Sequence, residues 1–278
     1  MIKKLLGLSP SYMYEVAICC IVKDEHYYLP EWIEYHLKIG VSRFYMYDNE
    51  SKIPVATTLS DYIDKGIVKL ELISGRAMQK MAYEHCLANY GRECQWIAFI
   101  DADEFIVPKT ITGNLPEFLS AFEKFGGIGL SWLLFGSNGH LEKPKSTQTQ
   151  SYTKRTLKTH VMNDHIKTIV QPKYVKKVPL DPHHFIFKKG KYCVNENFER
   201  LTGPRNTHTS NKIQLNHYYL RSLEDYKEKL ERGRADNGLF RSLGDFYDLD
   251  REANLITDEN IIELKMLLDE NALADKTQ

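Results

Sequence analysis

The chain has 278 residues, of which 42% are hydrophobic, enough for one large α/β domain or two small ones and too many for a disordered protein. Its 37 basic residues balance 37 acidic residues, so the formal net charge at pH 7 is zero. No overall positive field would hold such a chain on a phosphate backbone, which argues against general nucleic-acid binding.

Predicted strands and helices alternate over the first hundred residues. Short apolar runs predict strands at 16–22, 43–47, 67–73 and 96–100. Helices are predicted between them, from Pro30 to the stop at Gly40, over about 55–64, and over about 76–89. This alternation predicts an α/β fold with a mostly parallel central sheet, flanked by helices and connected by right-handed crossovers.

Charged residues lie at the ends of three of these strands. Lys23 follows the first strand, Asp48 follows the second and Asp101 follows the fourth. Ligands bind such sheets beyond the carboxyl ends of the strands. We therefore expect these three residues to converge on a binding site.

After Pro108 the regular alternation stops. A helix is predicted near 115–125 and a strand over 127–135, followed by an irregular stretch, from about 136 to 215, that contains most of the histidines. No internal repeat or low-complexity tract marks a second domain. We interpret residues 1–278 as one domain.

The end of the chain returns to helical patterns. Ser222 and Asp225 resemble a capping box that opens a charged helix to about Arg234. Thr257 is predicted to cap a last amphipathic helix over 258–269.

Cysteine usage and hydropathy indicate a cytoplasmic setting. The five cysteines are an odd number without a CxxC pair, so neither a disulfide framework nor a cysteine zinc site is predicted. The longest apolar run, Val16–Val22, is far shorter than the roughly 20 residues of a membrane helix. The basic, amphipathic stretch Met1–Leu8 is a candidate for contact with a membrane surface, and a frayed terminus is the alternative.

The strongest chemical signal is a pair of carboxylates. Asp101 and Asp103 follow an apolar strand two positions apart, a spacing that places both side chains on one side. Two such carboxylates bind a divalent cation, which in turn neutralises diphosphate oxygens. The alternative is a solvated acidic turn.

Motifs of several other enzyme classes are missing. Gly127 and Gly129 lack the third glycine of a dinucleotide loop, because position 132 is tryptophan. There is also no GxxxxGK[ST], HExxH or GxSxG pattern. These absences argue against dinucleotide-dependent oxidoreductases, P-loop NTPases, zincins and α/β-hydrolases.

An ordered set of short segments resembles one family. The segments are AICCIVKDE at 17–25, EWIEYH at 31–36, FYMYDNES at 44–51, DADEF at 101–105, Trp132, FGSNGH at 135–140, KTIVQP at 167–172, NHYY at 216–219 and RGRAD at 232–236. Together they resemble the GT-A glycosyltransferases of the family-2-like, DUF23 or family 92 group. The resemblance implies a GT-A fold whose nucleotide-sugar-binding half covers about 16–105, whose acceptor-binding half covers about 106–240, and whose helical tail covers 241–278.

The resemblance implies a UDP-sugar donor bound across the ends of the first and fourth strands. Asp48 matches an acidic residue that binds the uracil or ribose. The alternative is that Asp48 only stabilises a turn. The full set of implied donor-binding residues is Val22, Lys23, Glu25, Asp48, Arg76, Gln79, Asp101, Ala102 and Asp103. Partners for the diphosphate are expected among Lys167, Arg221, Arg232 and Arg234.

The resemblance also implies a metal cofactor, Mn²⁺ or Mg²⁺. Its ligands would be Asp101, Asp103 and His217, and the imidazole favours manganese. The competing histidine pair is His183 and His184.

Inversion is the implied mechanism, with a carboxylate that deprotonates the acceptor hydroxyl. The candidates for this base are Asp164, Glu196 and Glu104. Trp132 is the expected platform for an acceptor sugar ring, together with His140 in its matched segment. For Trp132 the alternative is a core position.

We therefore expect a cytoplasmic glycosyltransferase that adds a sugar such as galactose to a glycan or lipid-linked saccharide, for example in lipopolysaccharide or capsule. Peripheral contact with the cytoplasmic face of the inner membrane would bring it to such acceptors. Two alternatives stay open. One is a nucleotidyltransferase acting on sugar phosphates, although the chain lacks a Gly-rich basic loop after the first strand. The other is a non-catalytic carbohydrate-binding protein.

Overall fold

The computed structural model describes residues 12–232 and 241–276. The strands are β1 (Tyr14–Val22), β2 (Arg43–Asp48), β3 (Val68–Leu72), β4 (Cys94–Phe99), β5 (Glu104–Pro108), β6 (Gly127–Leu134), β7 (Lys154–Arg155), β8 (Ile166–Val170), β9 (Val175–Lys177), β10 (Ile186–Phe187), β11 (Cys193–Val194), β12 (Ile213–His217) and β13 (Ile256–Thr257). The α-helices are α1 (Leu29–Lys38), α2 (Val55–Thr58), α3 (Ser60–Asp64), α4 (Gln79–Tyr90), α5 (Leu115–Ser120), α6 (Gln148–Ser151), α7 (Leu223–Arg232), α8 (Leu243–Glu252) and α9 (Asn260–Lys276). Short 3₁₀ turns cover Val161–Asp164 and Pro172–Tyr174. The stretch Met1–Leu8, the side chain of Arg232 and all of Arg234 lie outside the described residues.

One large sheet organises the molecule. Its strand order is β3-β2-β1-β4-β8-β6-β12-β5, with β11 beside β6. The first four strands in this order are parallel, as the alternation predicted. Beyond them the sheet is mixed, because β8 runs antiparallel to both of its neighbours and β5 runs antiparallel to β12.

Strand β1 is buried on both faces of the sheet. Ile18 and Cys20 pack into one core cluster with residues of α1 and α5, whereas Cys19 and Ile21 pack into a second cluster with α4. Successive side chains of a strand point to opposite faces, so a continuous apolar run fits a strand covered by helices on both sides.

Several helix boundaries differ from the sequence predictions. The helix expected from about 76 begins only at Gln79, because Gly75 and Ala77 have φ angles of 118° and 53°, outside the helical region. The helix expected over 55–64 is divided into α2 and α3 at Leu59. The helix expected near 115–125 ends at Ser120.

The capping box before α7 is confirmed. The Asp225 amide donates to Ser222 Oγ at 3.1 Å, and the Ser222 amide donates to the Asp225 carboxylate at 3.2 Å. The predicted cap at Thr257 is wrong. Thr257 pairs with Lys154 in β13 and β7, and α9 begins three residues later, at Asn260.

All five cysteines are buried, free thiols. Within residues 12–232 and 241–276, no helix combines the length and the apolarity needed to span a bilayer.

His36 on α1 gives the fold a predictable pH dependence. It is fully buried, its Nδ1 lies 2.8 Å from the Trp32 carbonyl oxygen, and its Nε2 accepts the Ile106 amide at 3.4 Å. Burial lowers the pKa of His36 from 6.5 to about 3, although the hydrogen bond to the Trp32 carbonyl acts in the opposite direction. The unfolded chain therefore binds a proton below pH 6.5 that the folded chain does not, so acidification destabilises the fold.

We expect this group to cost about 1.4 kcal/mol of stability per pH unit below 6.5, or about 2 kcal/mol at pH 5. The His36→Gln variant cannot titrate and should lose correspondingly less stability between pH 7.5 and pH 5. Urea unfolding at the two pH values measures the difference. An identical pH dependence in the two proteins would show that His36 does not titrate on unfolding.

Candidate active site

A cleft of about 780 Å³ opens at the carboxyl ends of the parallel strands. Its chemically relevant lining residues are Lys23, Glu25, Asn49, Glu50, Arg76, Gln79, Asp101, Ala102, Asp103, Trp132, His165, Asp181, His183, Arg205, His217, Tyr219, Lys229, Glu231 and Arg241. The convergence expected at this edge of the sheet is confirmed for Lys23 and Asp101 but not for Asp48, which does not line the cleft.

Asp101 is fixed from two sides. Gln79, the first residue of α4, donates to Asp101 Oδ1 at 2.8 Å, and Lys167 donates to Oδ2 at 2.7 Å. Lys167 is 1% exposed, and its place near the start of antiparallel strand β8 brings it beneath Asp101. Burial would lower the pKa of Lys167, but Asp101 and Glu104 outweigh it and raise the pKa, so the ammonium stays charged. Lys167 therefore supports Asp101 from within the protein, and the prediction that it binds diphosphate is wrong.

Asp103 meets two groups from the second half of the chain. Lys229 of α7 donates to Asp103 Oδ2 at 2.7 Å, and His217 Nε2 lies 3.6 Å from Oδ1. Burial would raise the pKa of Asp103, but Lys229 and His217 outweigh it and hold the pKa well below its ordinary value of 3.8. Asp103 is therefore ionised at neutral pH.

His217 reaches Asp103 because of strand pairing. β12 runs antiparallel to β5 with His217 opposite Glu104, and the Tyr218 amide donates to the Asp103 carbonyl at 2.8 Å. Burial lowers the pKa of His217, against Asp103, which raises it. The imidazole is neutral, which is the form that binds metal ions.

The predicted three-ligand metal site is not assembled. Across the described residues, no three side chains of His, Cys, Asp or Glu are arranged to hold one ion. Gln79 and Lys167 each contact one oxygen of Asp101, which fixes the orientation of its carboxylate. Asp103 and His217 remain as a pair, and His217 Nδ1 is buried without a hydrogen-bond partner among the described residues. One carboxylate and one imidazole fit a Mn²⁺ or Mg²⁺ ion that takes its other ligands from substrate phosphates and water.

Glu25 and Arg221 form a buried ion pair at one side of the cleft. Arg221 Nη1 lies 2.5 Å from Glu25 Oε2, and Nη2 donates to the Ala102 carbonyl at 3.3 Å. The guanidinium also lies over the Tyr28 ring, 3.9 Å from its centre. Arg221 therefore ties the end of β1, the turn that contains Asp101 and Asp103, and the start of α7 together. The prediction that it contacts diphosphate is wrong, because the side chain is 2% exposed and committed to these partners.

Asp48 has the role of a turn residue. Its carboxylate accepts the amides of Ser51 and Val55, both at 3.0 Å, and the residue is 5% exposed. Its neighbours Asn49 and Glu50 line the cleft instead. The predicted contact between Asp48 and a nucleoside is not supported, because the Asp48 side chain does not line the cleft.

Replacing Asp48 by alanine is expected to cost about 1–3 kcal/mol of stability, because the buried amide of Val55 loses its acceptor. Donor KM should stay within about twofold of wild type, since the side chain is outside the cleft. Chemical denaturation and steady-state kinetics measure the two effects. A large rise in donor KM with unchanged stability would restore the predicted binding role.

Trp132 stands at the centre of a group of histidines on the cleft wall. Its ring centre lies 4.3 Å from that of His217, 4.9 Å from that of His165 and 5.3 Å from that of His183. Burial, together with the nearby charge of Lys167, lowers the pKa of His183 from 6.5 to about 2. Trp132 Nε1 and His183 Nδ1 are buried and have no hydrogen-bond partner among the described residues. The competing histidine, His184, packs beside Phe187 and does not line the cleft.

Four other predicted site residues lie outside the cleft. Val22 is 2% exposed in the core, and His140 Nε2 lies 3.2 Å from the Ser151 carbonyl. Glu196 is 1% exposed and accepts the amides of residues 211, 212 and 213. Asp164 lines a separate cavity of about 410 Å³. None of the four side chains lines the main cleft.

Glu104, the third predicted base, is buried beneath the cleft. It is 0% exposed, and its Oε2 accepts the Asp101 amide at 2.9 Å. Burial raises the pKa of Glu104 well above its ordinary value of 4.5, against Lys167, which lowers it. Glu104 therefore shapes the turn at Asp101 and does not face an acceptor.

Sequence reasoning missed several cleft residues. Lys229 lies on a charged helix, 126 positions from its partner Asp103. Arg241 donates from Nε to the Tyr219 hydroxyl at 3.0 Å. Asp181 and Arg205 come from the irregular second half, where no periodicity marks them. Of these residues, only Asn49 and Glu50 could have been predicted from the sequence, because they directly follow the end of a strand.

The family model of glycosyltransferase family 92 matches residues 12–271. The chain therefore belongs to glycosyltransferase family 92. The family that the sequence predicted is confirmed, and the strand order confirms the predicted α/β class with a mostly parallel central sheet.

Curated relatives include two plant proteins of the same family. One from Ricinus communis is 28% identical over 233 residues, which cover 81% of this chain and 39% of that protein. One from Oryza sativa subsp. japonica is 27% identical over 221 residues, which cover 78% of this chain and 35% of that protein. The chain thus spans less than two fifths of the length of these relatives.

Among solved structures, the chain is similar to S. aureus TarS 1–349 in complex with UDP-GlcNAc. The TM-score is 0.44 at 13% identity, with 92% of this chain and 71% of that chain covered. The same protein in complex with UDP gives a TM-score of 0.37 at 12% identity, covering 57% and 47%.

Proposed function

We propose that this protein transfers a sugar from a UDP-sugar to a hydroxyl group of a glycan acceptor, with inversion at the anomeric carbon. The observation that carries the proposal is the meeting of Asp101, Asp103, His217 and Lys229 in one cleft at the carboxyl ends of the strands. Family membership supports the reaction class. We further propose that the acceptor belongs to a surface glycan such as lipopolysaccharide or capsule, and that galactose is a candidate sugar.

The nucleoside would bind beside the ends of β1 and β2. Lys23, Asn49 and Glu50 line the cleft there, and Asn49 Oδ1 is buried without a hydrogen-bond partner among the described residues. Such an acceptor suits an N–H of the uracil or a ribose hydroxyl, since an unpaired buried polar atom is costly. Gln79 and Lys167 would keep Asp101 in one orientation toward the same ligand.

The diphosphate would bind near Asp103, where Lys229 and Arg241 also line the cleft. Over the whole lining, six carboxylates face five Lys and Arg side chains, so the protein alone brings no positive excess. This balance favours a divalent cation, Mn²⁺ or Mg²⁺, held by Asp103 and His217. When bound, such an ion stabilises the charge that develops on the departing diphosphate.

The sugar would pack against Trp132, whose face suits the C–H groups of a pyranose. Trp132 Nε1 and His183 Nδ1 are buried in this wall without hydrogen-bond partners among the described residues, and sugar hydroxyls would supply such partners. We propose Asp181 as the base that takes the proton of the acceptor hydroxyl. It lies in the cleft two residues from His183, and its Oδ1 accepts the His183 amide at 3.0 Å.

A screen of UDP-sugars for acceptor-dependent release of UDP, with Mn²⁺ and with EDTA, tests the proposed reaction. We expect turnover with one donor, and we expect EDTA to abolish it together with most of the affinity for UDP. Turnover of no nucleotide sugar with any glycan acceptor would contradict the function. Sugar binding that survives EDTA without turnover would favour a carbohydrate-binding protein, and formation of UDP-sugar from UTP and a sugar phosphate would favour a nucleotidyltransferase.

The Asp181→Asn variant tests the base separately. We expect kcat to fall by about 10²- to 10⁴-fold with donor KM nearly unchanged. A variant with normal kcat would exclude Asp181 from proton transfer without affecting the proposed reaction.

A further inference from the structure

Residues 173–191, which we call the basic hairpin, form a strongly charged feature whose lysines the proposed chemistry does not use. The segment contains six lysines, at 173, 176, 177, 188, 189 and 191, and one acidic residue, Asp181. Its formal charge is therefore +5 in a chain whose net charge is zero. β9 pairs antiparallel with β10, opposing Lys177 to Ile186 and Val175 to Phe187. This pairing brings the lysines at the two ends of the segment together.

The lysines of the basic hairpin keep their charge available. Five of the six are exposed, and Lys191 is partly buried. Among the described residues, no carboxylate lies within 4.0 Å of their ammonium groups. Lys188 and Lys191 donate to carbonyl oxygens, at 2.7 and 2.6 Å, which orients these side chains without neutralising them.

Exposed apolar side chains accompany the charge. Leu180, in the loop between β9 and β10, is 88% exposed, and Ile186 is 43% exposed. A soluble polyanion would need only the lysines. Lysines combined with protruding aliphatic side chains suit the surface of an anionic bilayer. There the ammonium groups bind the lipid headgroups and the aliphatic side chains enter the acyl region.

The basic hairpin lies beside the cleft. Its loop also contributes Asp181 and His183 to the wall of the cleft. On the neighbouring 3₁₀ turn, Val161 is 61% exposed directly before Met162, another lining residue. A surface seated on the hairpin would therefore lie at the mouth of the cleft.

We propose that the basic hairpin docks the protein on an anionic lipid bilayer, with Leu180 inserted at the interface and the cleft opening toward the membrane surface. A lipid-linked acceptor would then reach the cleft without leaving the bilayer. The docking itself does not depend on the proposed reaction and is measured without substrate.

Co-sedimentation of the full chain with vesicles tests the docking. We expect binding to vesicles with about one third phosphatidylglycerol in phosphatidylcholine, little binding to pure phosphatidylcholine, and weaker binding as salt is added. The double variant Lys176→Gln/Lys177→Gln should bind about 25-fold more weakly, at about fivefold per lysine. Leu180→Ser should also weaken binding by several-fold. Both variants change exposed side chains, so their thermal unfolding should match that of wild type.

Two control variants remove the same number of charges elsewhere. Lys65→Gln/Lys69→Gln lies at β3, on the outer edge of the sheet, and Lys3→Gln/Lys4→Gln alters the basic amino-terminal stretch. Both should retain most of the binding. Equal binding to neutral vesicles, or full binding by the Lys176/Lys177 variant, overturns the proposal. So does full binding by Leu180→Ser combined with displacement by soluble polyphosphate, since that outcome identifies a soluble polyanion as the ligand.

Discussion

Replacing Asp103 by asparagine is expected to lower kcat/KM for sugar transfer by about 10²- to 10³-fold, the usual cost of removing one electrostatic contact made in the transition state. Asp103 is the ionised carboxylate that faces both His217 and Lys229 in the cleft. Asparagine keeps the size of the side chain and an oxygen for Lys229, so the variant should fold. Steady-state kinetics of UDP release with the wild-type donor and acceptor measure the loss.

The matched control is Asp258→Asn. Asp258 also accepts from a buried cation, because Arg155 Nε lies 2.6 Å from its Oδ2, but it does not line the cleft. This variant should lose stability and keep its kcat at temperatures where it is folded. Near-normal transfer by Asp103→Asn, or an equal loss in both variants, would remove Asp103 from the chemistry.

Replacing Arg221 by methionine is expected to destabilise the fold by about 3–5 kcal/mol, because it breaks the buried ion pair with the Glu25 carboxylate. The side chains of Glu25 and Arg221 are 8% and 2% exposed, so the ion pair that is lost is a buried one. The melting temperature should fall by on the order of 10 °C. Urea unfolding at pH 7 gives the free energy directly.

A second substitution separates the ion pair from the rest of the packing. Glu25→Gln/Arg221→Met should be more stable than Arg221→Met alone, because the uncompensated charge is removed as well. A double variant that is less stable than Arg221→Met would contradict this account, because the two proteins differ only at position 25 and the Glu25 carboxylate would then be stabilising without Arg221.

The sequence predicted the regular half of the fold well. The runs at 16–22 and 96–100 are long, apolar and bounded by polar residues, and both became strands of the parallel part of the sheet. The turn with Asp101 and Asp103 was identified because strand ends in such a sheet face one edge. The subdivision of the chain into binding halves stays a prediction.

The second half of the chain was harder to predict because its strands are short and its residues contact residues that are distant in the sequence. Nothing local indicates that β8 enters the sheet antiparallel between β4 and β6, yet this insertion buries Lys167 beneath Asp101. Of the predicted bases, Asp164 was chosen because it precedes a predicted strand near the acceptor side, and Glu196 was chosen by its distance along the chain from Asp103. Position along the chain does not indicate whether a loop residue faces the cleft.

By itself, the sequence determined the α/β class, the family, and the edge of the sheet at which chemistry is expected, since these depend on local periodicity and on short ordered motifs. Only the tertiary structure decided the surroundings of each carboxylate. In the folded protein Asp101 pairs with Lys167, and Glu25 pairs with Arg221. Asp103 contacts both Lys229 and His217. The physical reason is that charge and burial act through space, whereas these partners lie between 66 and 196 positions apart along the chain.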